Sequence, residues 1–385
     1  MNNPWLNLIA AWMIHLSIGS VYAWSTLVIP IENATGWDKA SITFAFSIII
    51  LFLSIAAFLT RRLYAHLGLS YCCLISTFLF SIGYELLSLG VEDLSLNVFY
   101  LGAVITGLGT GIGYILPVDL IMQWFPKRKG LSGGSCIMAF GFGSALAAPC
   151  FNYLCGNGGP GFTFALMGCL YFFVMFISSY ILSLPDKEDG SSIGVVYYNE
   201  DKFRKLFLAF YLNIACGISL LSLISPIVQD LGADVGFATM VVSLIGIANG
   251  GGRIFWAAIS DKLGRDRTYQ ILFVLEAFFF VGLAMATNYY IFTILAFVLI
   301  TIYGGGFSVM PAFVADAFKY PLHEGQEEST VVRIHGKVLL AWGLAGISAP
   351  MFLAYTYQYI GYNGVFLLFG ILFGIGSVLR RIYKV

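Results

Sequence analysis

The sequence predicts an all-α membrane protein, with twelve transmembrane helices arranged as two pseudo-symmetric six-helix bundles. Three observations carry that prediction. The first is composition: of 385 residues, 59% are apolar and 10% charged, where a soluble domain has roughly 45–50% and about 25%. Twenty acids and twenty bases cannot clothe a water-facing surface on a chain this long. Disorder is excluded as well, because 34 Phe, 22 Tyr and 7 Trp carry too much apolar area. The second observation is that apolar stretches long enough to cross about 30 Å of hydrocarbon recur along the whole chain. The third is an internal repeat between its two halves.

The stretches fall near 5–31, 41–60, 70–90, 97–124, 132–155, 161–183, 206–229, 236–259, 268–287, 290–317, 338–357 and 362–381. Met1 to Pro4 lacks the positive charge of a signal peptide, and the apolar run after it is too long for one, so span 1 is expected to stay. Most connections are short. The polar segment 184–205 and the segment 318–337, which contains HEGQEE, are the long ones. They suggest an N-terminal bundle over 1–183, a linker over 184–205 and a C-terminal bundle over 206–385. Matching residues recur at a nearly constant offset. Pro30 and Pro226, expected to end spans 1 and 7, lie 196 residues apart, as do Gly68 and Gly264 after spans 2 and 8. Pro117 pairs with Pro311 at 194, and Pro149 with Pro350 at 201. Repeats of this kind place a substrate site at the interface between halves.

Basic residues predict the orientation, since short cytoplasmic loops are enriched in Lys and Arg. With the N-terminus cytoplasmic, 18 of the 20 Lys and Arg fall inside, Lys39 falls outside, and Arg253 lies within span 8. Both termini are then cytoplasmic. The seven Cys sit in apolar stretches without a CxxC pair and read as small hydrophobes between helices. No metal, cofactor or nucleic-acid partner is expected, and four scattered His supply no acid–base or metal constellation for a membrane enzyme. A lipid-embedded monomer is expected.

Arg253 is the most informative single residue. A guanidinium deep in a span costs at least roughly 2.5–3.5 kcal/mol, so it must face protein or a water-filled cavity. Its planar fork suits a carboxylate and keeps its proton, which points to an anion clamp. The alternatives are snorkelling or a structural pair with Asp316 or Glu276. Asp119 and Asp316 lie near the ends of spans 4 and 10, as latch residues or proton sites. His15 is mid-span, with Tyr22 seven residues on; it is either a packing residue or a proton relay. Glu85 and Glu276 receive no role. The runs GTGIG (109–113), GFG (141–143), GGG (250–252) and GGG (304–306) allow close helix approach.

Several motifs carry a family resemblance. The segment SDKLGRDR (260–267), preceded by GGGR, resembles the loop 8–9 signature of the major facilitator superfamily. VYAWSTLVIPI (21–31), GTGIGYILPVDLIMQWFPKRKGLSGG (109–134), YGGGFSVMPAFVAD (303–316) and HGKVLLAWGLAGISAP (335–350) are similar to its oxalate/formate antiporter-like branch, relatives of the monocarboxylate transporters. The resemblance implies the major facilitator fold, alternating access, a small organic anion as substrate and a substrate-binding Arg at position 253. It implies cavity-lining roles for Tyr22, Tyr114 and Tyr303, with Trp342 as a further lining residue. The acids close to basic loops read as a cytoplasmic latch, Asp316 with Arg265 or Arg267 beside Asp261, and Asp119 with Arg61 or Arg62. Two departures stand out. Ala65 occupies a position where the loop 2–3 pattern has Asp, and Trp342 occupies the position of a lysine in relatives that carry oxalate. One intramembrane cation favours a monoanion such as formate, lactate or pyruvate. Exchange or proton coupling both remain open, as do a dicarboxylate, amino acid or sugar carrier and a transport-dead sensor.

Overall fold

Nine continuous helices among the described residues are long and apolar enough to cross a membrane. The computed structural model describes residues 3–185, 199–318 and 334–378, apart from the side chains of 129–131, 216 and 378. Most of segment 184–205, the HEGQEE stretch, Cys216 and several of the orienting bases therefore lie outside the described residues. Three of the helices are too long for one crossing. Lys39–Glu92 has 54 residues, Lys129–Ile181 has 53 and Leu340–Val378 has 39, so each would extend roughly 60–80 Å. Each is broken at one glycine whose backbone no L-residue adopts without strain: Gly68 (φ 76°, ψ 177°), Gly159 (φ 81°, ψ 176°) and Gly361 (φ 67°, ψ 169°). Dividing the chain there yields twelve crossing segments.

Span 1 is Pro4–Gly19 and Ser25–Thr35, joined by the 3-10 turn Ser20–Ala23. Spans 2 and 3 are the arms of Lys39–Glu92, span 4 is Leu96–Trp124, and spans 5 and 6 are the arms of Lys129–Ile181. Spans 7 to 10 are Glu200–Asp230, Val235–Leu263, Arg265–Met285 and Tyr289–Ala317. Spans 11 and 12 are the arms of Leu340–Val378. An even number of crossings puts the described ends on one face, called here the terminal face; the opposite face is the distal one.

The repeat is clearer in the backbone than in the prolines. The described glycines with positive φ form three pairs: Gly36 with Gly232 and Gly68 with Gly264, each 196 residues apart, and Gly159 with Gly361, 202 apart. Asp38 caps span 2 by accepting from the Ser41 amide at 2.6 Å, and Asp234 caps span 8 by accepting from the Phe237 amide at 2.8 Å. Pro30 and Pro226 do not end their spans, contrary to expectation. Both lie inside helices that run on to Thr35 and Asp230. Neighbouring helices and tilted turns in a membrane tolerate the missing amide, so the helix stops only where a glycine caps it.

The halves meet along two seams, span 5 against span 8 and span 2 against span 11. Both seams are lined by small residues. A Cβ on Gly141 would fall 2.8 Å from the Gly250 amide nitrogen, and one on Gly343 would fall 2.7 Å from Ser54 Cβ. Without a hydrophobic drive between helices in lipid, such close backbone approach supplies the van der Waals contact that holds the seam. On the outside of the bundles, Phe173, Tyr180, Phe255, Phe278 and Ile294 are exposed, as a lipid-facing surface requires.

Candidate functional site

Span 8 begins at an Asp234 cap and runs as one helix to Leu263, so Arg253 stands ten residues from its end, about 15 Å along the axis. The side chain is 2% exposed. Its Nη1 donates to the Ile137 carbonyl of span 5 at 3.1 Å, across the seam, and its Nε donates to Asn249 Oδ1 one turn earlier at 3.4 Å. Nη2 is buried and has no hydrogen-bond partner among the described residues. Among the described residues no carboxylate approaches within ion-pair distance there. Glu276 is bonded to Asn213 and Asp316 to Arg265, so the structural pairs proposed for Arg253 as alternatives do not form.

Aromatic rings surround the guanidinium. Its central carbon sits 4.9 Å from the Phe307 ring centroid and 5.9 Å from that of Phe140, a cation–π geometry that offsets part of the cost of burying the charge. Tyr22 and Tyr114 each meet Phe140 edge-on at 5.1 Å. Trp342 packs on Phe307 at 4.8 Å and on Tyr114 at 5.3 Å. Tyr303 stands 5.3 Å from Phe307, and its hydroxyl shares a 2.9 Å hydrogen bond with Tyr22. The five residues singled out from sequence, Arg253, Tyr22, Tyr114, Tyr303 and Trp342, are thus brought into one buried cluster drawn from spans 8, 1, 4, 10 and 11. The indole Nε1 of Trp342 is likewise buried and makes no well-formed hydrogen bond among the described residues, although the Tyr22 hydroxyl is within its influence. The cluster thus holds two buried N–H donors that lack a full acceptor among the described residues.

Phe140, Phe307 and Asn249 escaped the sequence reading. Their signal was helical spacing: Phe307 follows Tyr303 by four residues and Asn249 precedes Arg253 by four, so each shares its partner's face. Phe140 had only its place beside the GFG run.

The halves are joined on both sides of this cage. Toward the distal face Lys39 reaches Asp230 at 3.5 Å. Toward the terminal face Ser54 donates to the Leu339 carbonyl at 2.6 Å. The cage is closed to both.

The other candidates lie elsewhere. His15 packs at 5.7 Å from the Tyr114 ring, and its two ring nitrogens lie 3.0 Å from the Ala11 carbonyl and 3.1 Å from that of Tyr114. Tyr22 itself lies in the 3-10 turn Ser20–Ala23, beyond the α-helix that carries His15, so the seven-residue spacing does not align them as a continuous helix would. At the terminal face Arg265 bonds Asp261 at 2.7 Å, Asp316 at 3.4 Å and the Ser260 hydroxyl. The expected Asp119 contact does not close: no base lies within 4.0 Å of Asp119 among the described residues, although Arg61 is the base that acts on it electrostatically, and Arg62 is exposed. Ala65 stands where the repeat has Asp261, so no acid on that turn gathers Arg61 as Asp261 gathers Arg265.

Comparison with known proteins accounts for this architecture. The family model described as Major Facilitator Superfamily matches residues 8–324 and 206–384. An uncharacterized MFS-type transporter of Escherichia coli strain K12, YhjX, is 27% identical over 359 residues, covering 89% of this chain and 86% of that protein. The oxalate:formate antiporter of Oxalobacter formigenes is 26% identical over 227 residues, covering 56% of this chain and 54% of that one. Among solved structures, the D-xylose-proton symporter superposes with a TM-score of 0.74 at 14% identity, over 98% of this chain and 97% of its own; at that identity the likeness speaks to the fold alone. With twelve crossings, a repeated backbone signature and a match across most of its length, the chain is a multi-pass membrane transporter that belongs to the major facilitator superfamily.

Proposed function

We propose that the chain carries small organic anions, with monocarboxylates of the formate, lactate or pyruvate type as preferred substrates, by alternating access around Arg253. The observation that carries this reading is the buried guanidinium with a free Nη2 and no carboxylate partner. A carboxylate bound there receives hydrogen bonds from the Arg253 guanidinium and from the neutral indole of Trp342, each charge-assisted and worth roughly 1.5–3 kcal/mol. The surrounding rings exclude water and favour a small occupant over a polyhydroxylated one, whose many hydroxyls would lack partners. A single cation in the cage favours one negative charge over two. The oxalate:formate antiporter among its relatives keeps the dicarboxylate as the second reading.

The same charge suggests a preference for exchange. Closing the cage on an empty guanidinium strips its water without compensation, whereas a bound anion neutralises it. Loaded forms then reorient faster than empty ones in which no second group balances the guanidinium. The reading includes two bundles at 1–183 and 206–385 that rock about the linker as a monomer in lipid, termini cytoplasmic, with Arg265, Asp261 and Asp316 latching the terminal face.

Uptake of labelled formate, lactate and pyruvate into proteoliposomes, with and without internal anion, tests it. Native protein is expected to show saturable uptake stimulated by internal anion, and Arg253→Gln to lose at least tenfold. Native-like anion uptake by Arg253→Gln sinks the reading. Stronger competition by oxalate favours the dicarboxylate carrier, competition by neutral sugars or amino acids another carrier class, and no uptake of any solute a sensor.

A further inference from the structure

Span 9 carries a second buried ionisable group that the anion site does not use. Glu276 is 1% exposed. Its Oε1 accepts a hydrogen bond from Asn213 Nδ2 of span 7 at 2.6 Å. Its Oε2 is buried without a partner, and so is Asn213 Oδ1. The hydrogen-bonded pair thus carries two further buried acceptors with no donor for either. A protonated Glu276 supplies an O–H, the donor the pair lacks, and makes the pair neutral. Among the described residues no Lys or Arg pairs with Glu276 to hold a carboxylate instead. Span 9 itself presents Tyr269, whose hydroxyl donates to the Gly306 carbonyl at 2.8 Å. Span 8 presents Arg253, turned toward Ile137, and span 10 presents Tyr303, turned toward Tyr22. Span 12 presents Phe366, Phe369 and Phe373, and span 7 only the Asn213 amide.

The pair is joined to the anion cage through the glycines of span 10. A Cβ on Gly306 would overlap Asn213 Oδ1, at 1.6 Å, and one on Gly304 would fall 2.4 Å from the Asn249 carbonyl oxygen. Asn249 in turn holds Arg253 Nε. The run Tyr303–Phe307 therefore lies between the carboxyl on one side and the guanidinium on the other.

We propose that Glu276 is the site of a cotransported proton, held while Arg253 carries its anion and released to water when Arg253 is empty. This rests on Arg253 being the anion site. Charge explains the linkage. Loaded, the C-terminal bundle holds a guanidinium, an anion and a neutral acid; empty, it holds a guanidinium and a carboxylate. Both forms are neutral overall, and both can close. An empty bundle that kept the proton would carry one unbalanced charge through a medium where that is costly. Net transport is then one proton with one monoanion, and exchange proceeds with Glu276 protonated throughout.

The test compares two modes of labelled formate and lactate movement in proteoliposomes: accumulation driven by an imposed pH gradient without internal anion, and exchange at equal pH with anion on both sides. Glu276→Gln keeps the shape and a hydrogen for Asn213 Oδ1 but cannot release a proton. It is expected to lose gradient-driven accumulation at least tenfold and keep exchange within about threefold of native, since a threefold change is under 1 kcal/mol. Arg253→Gln is expected to lose both. Native-like accumulation by Glu276→Gln, or equal loss of both modes, overturns the proton site; retention of both by Arg253→Gln instead overturns the anion site. Infrared difference spectra on the native protein give a readout independent of transport: a protonated-carboxyl C=O band should be present with formate and diminish on its removal. A band unchanged by formate, or missing with it, also overturns the proposal.

Discussion

The hydroxyls of Tyr22 and Tyr303, 281 residues apart in sequence, share a hydrogen bond of 2.9 Å at the centre of the protein. It joins span 1 to span 10, and so one half of the repeat to the other, beside the ring system that surrounds Arg253. A single neutral hydrogen bond contributes about 1 kcal/mol, near a fivefold factor in an equilibrium. Tyr22→Phe keeps both rings and removes this link, so the closed form should lose roughly fivefold in population. Uptake by Tyr22→Phe, Tyr303→Phe and the double variant checks the coupling. The double variant should resemble either single one, and simple additivity would show that the two hydroxyls act separately.

At the terminal face Arg265 binds two carboxylates of different standing. Asp261 lies one turn earlier across the loop at 2.7 Å, while Asp316 belongs to span 10, at 3.4 Å. The first joins the adjoining ends of spans 8 and 9, and only the second ties span 9 to span 10. Both acids are largely exposed, so each pair is worth little to overall stability, about 1 kcal/mol at most. Asp316→Asn is therefore expected to leave the unfolding temperature nearly unchanged and to raise access from the terminal face about two- to fivefold, scored as labelling of a cysteine introduced beside the cage. Asp261→Asn should have a smaller effect on labelling. Equal effects would mean that the link to span 10 holds nothing closed.

The twelve crossings and Arg253 were legible because membrane burial leaves so few options, whereas Tyr22, Tyr114, Tyr303 and Trp342 were picked out by the family resemblance. An apolar stretch of span length, or an arginine that must face inward, has one place to go. Phe140 and Phe307 were not, since a phenylalanine facing the cage and one facing lipid look alike among 34. The helix ends at Pro30 and Pro226 were misjudged because a soluble-protein rule for proline weakens where neighbouring helices satisfy freed carbonyls. The Asp119 latch was expected from its place near the end of span 4 beside basic loops, yet the repeat preserves backbone turns more faithfully than side-chain pairs. Gly68 keeps the conformation of Gly264, while the acid that gathers Arg265 has no counterpart beside Arg61.

Those turns predict a stability ranking. At Gly68, Gly159 and Gly361 the combination of positive φ and extended ψ is reserved almost wholly for glycine, and another residue held there costs about 1–3 kcal/mol. Nothing lies within 4 Å of a Cβ placed at any of the three, so backbone strain alone should act. Alanine at each is expected to lower the unfolding temperature in detergent. Gly374→Ala is the control, because that site also has open space and no positive φ; there the added helix propensity should leave stability equal or raised. A control that falls as far as the others would remove the strain argument.

On the proposed reading, Trp342 sets what charge the cage accepts. Its indole ring packs against Phe307 and Tyr114 while its Nε1 donor finds no full acceptor among the described residues. Trp342→Phe retains an aromatic wall and deletes that donor. If the N–H bonds the transported carboxylate, the loss is that of a hydrogen bond to a charged group, roughly 1.5–3 kcal/mol. The apparent affinity for formate and lactate should then fall between tenfold and a hundredfold. Trp342→Lys goes further by placing a second cation near Arg253. Two positive charges in a cage of low polarity repel, so this variant should be less stable without ligand and gain stability from a dianion more than from a monoanion. Thermal shifts with oxalate and with formate measure that preference directly. In the native protein formate should give the larger shift, and in Trp342→Lys oxalate should. A native protein already shifted more by oxalate would mean that one guanidinium and an indole suffice for two carboxylates.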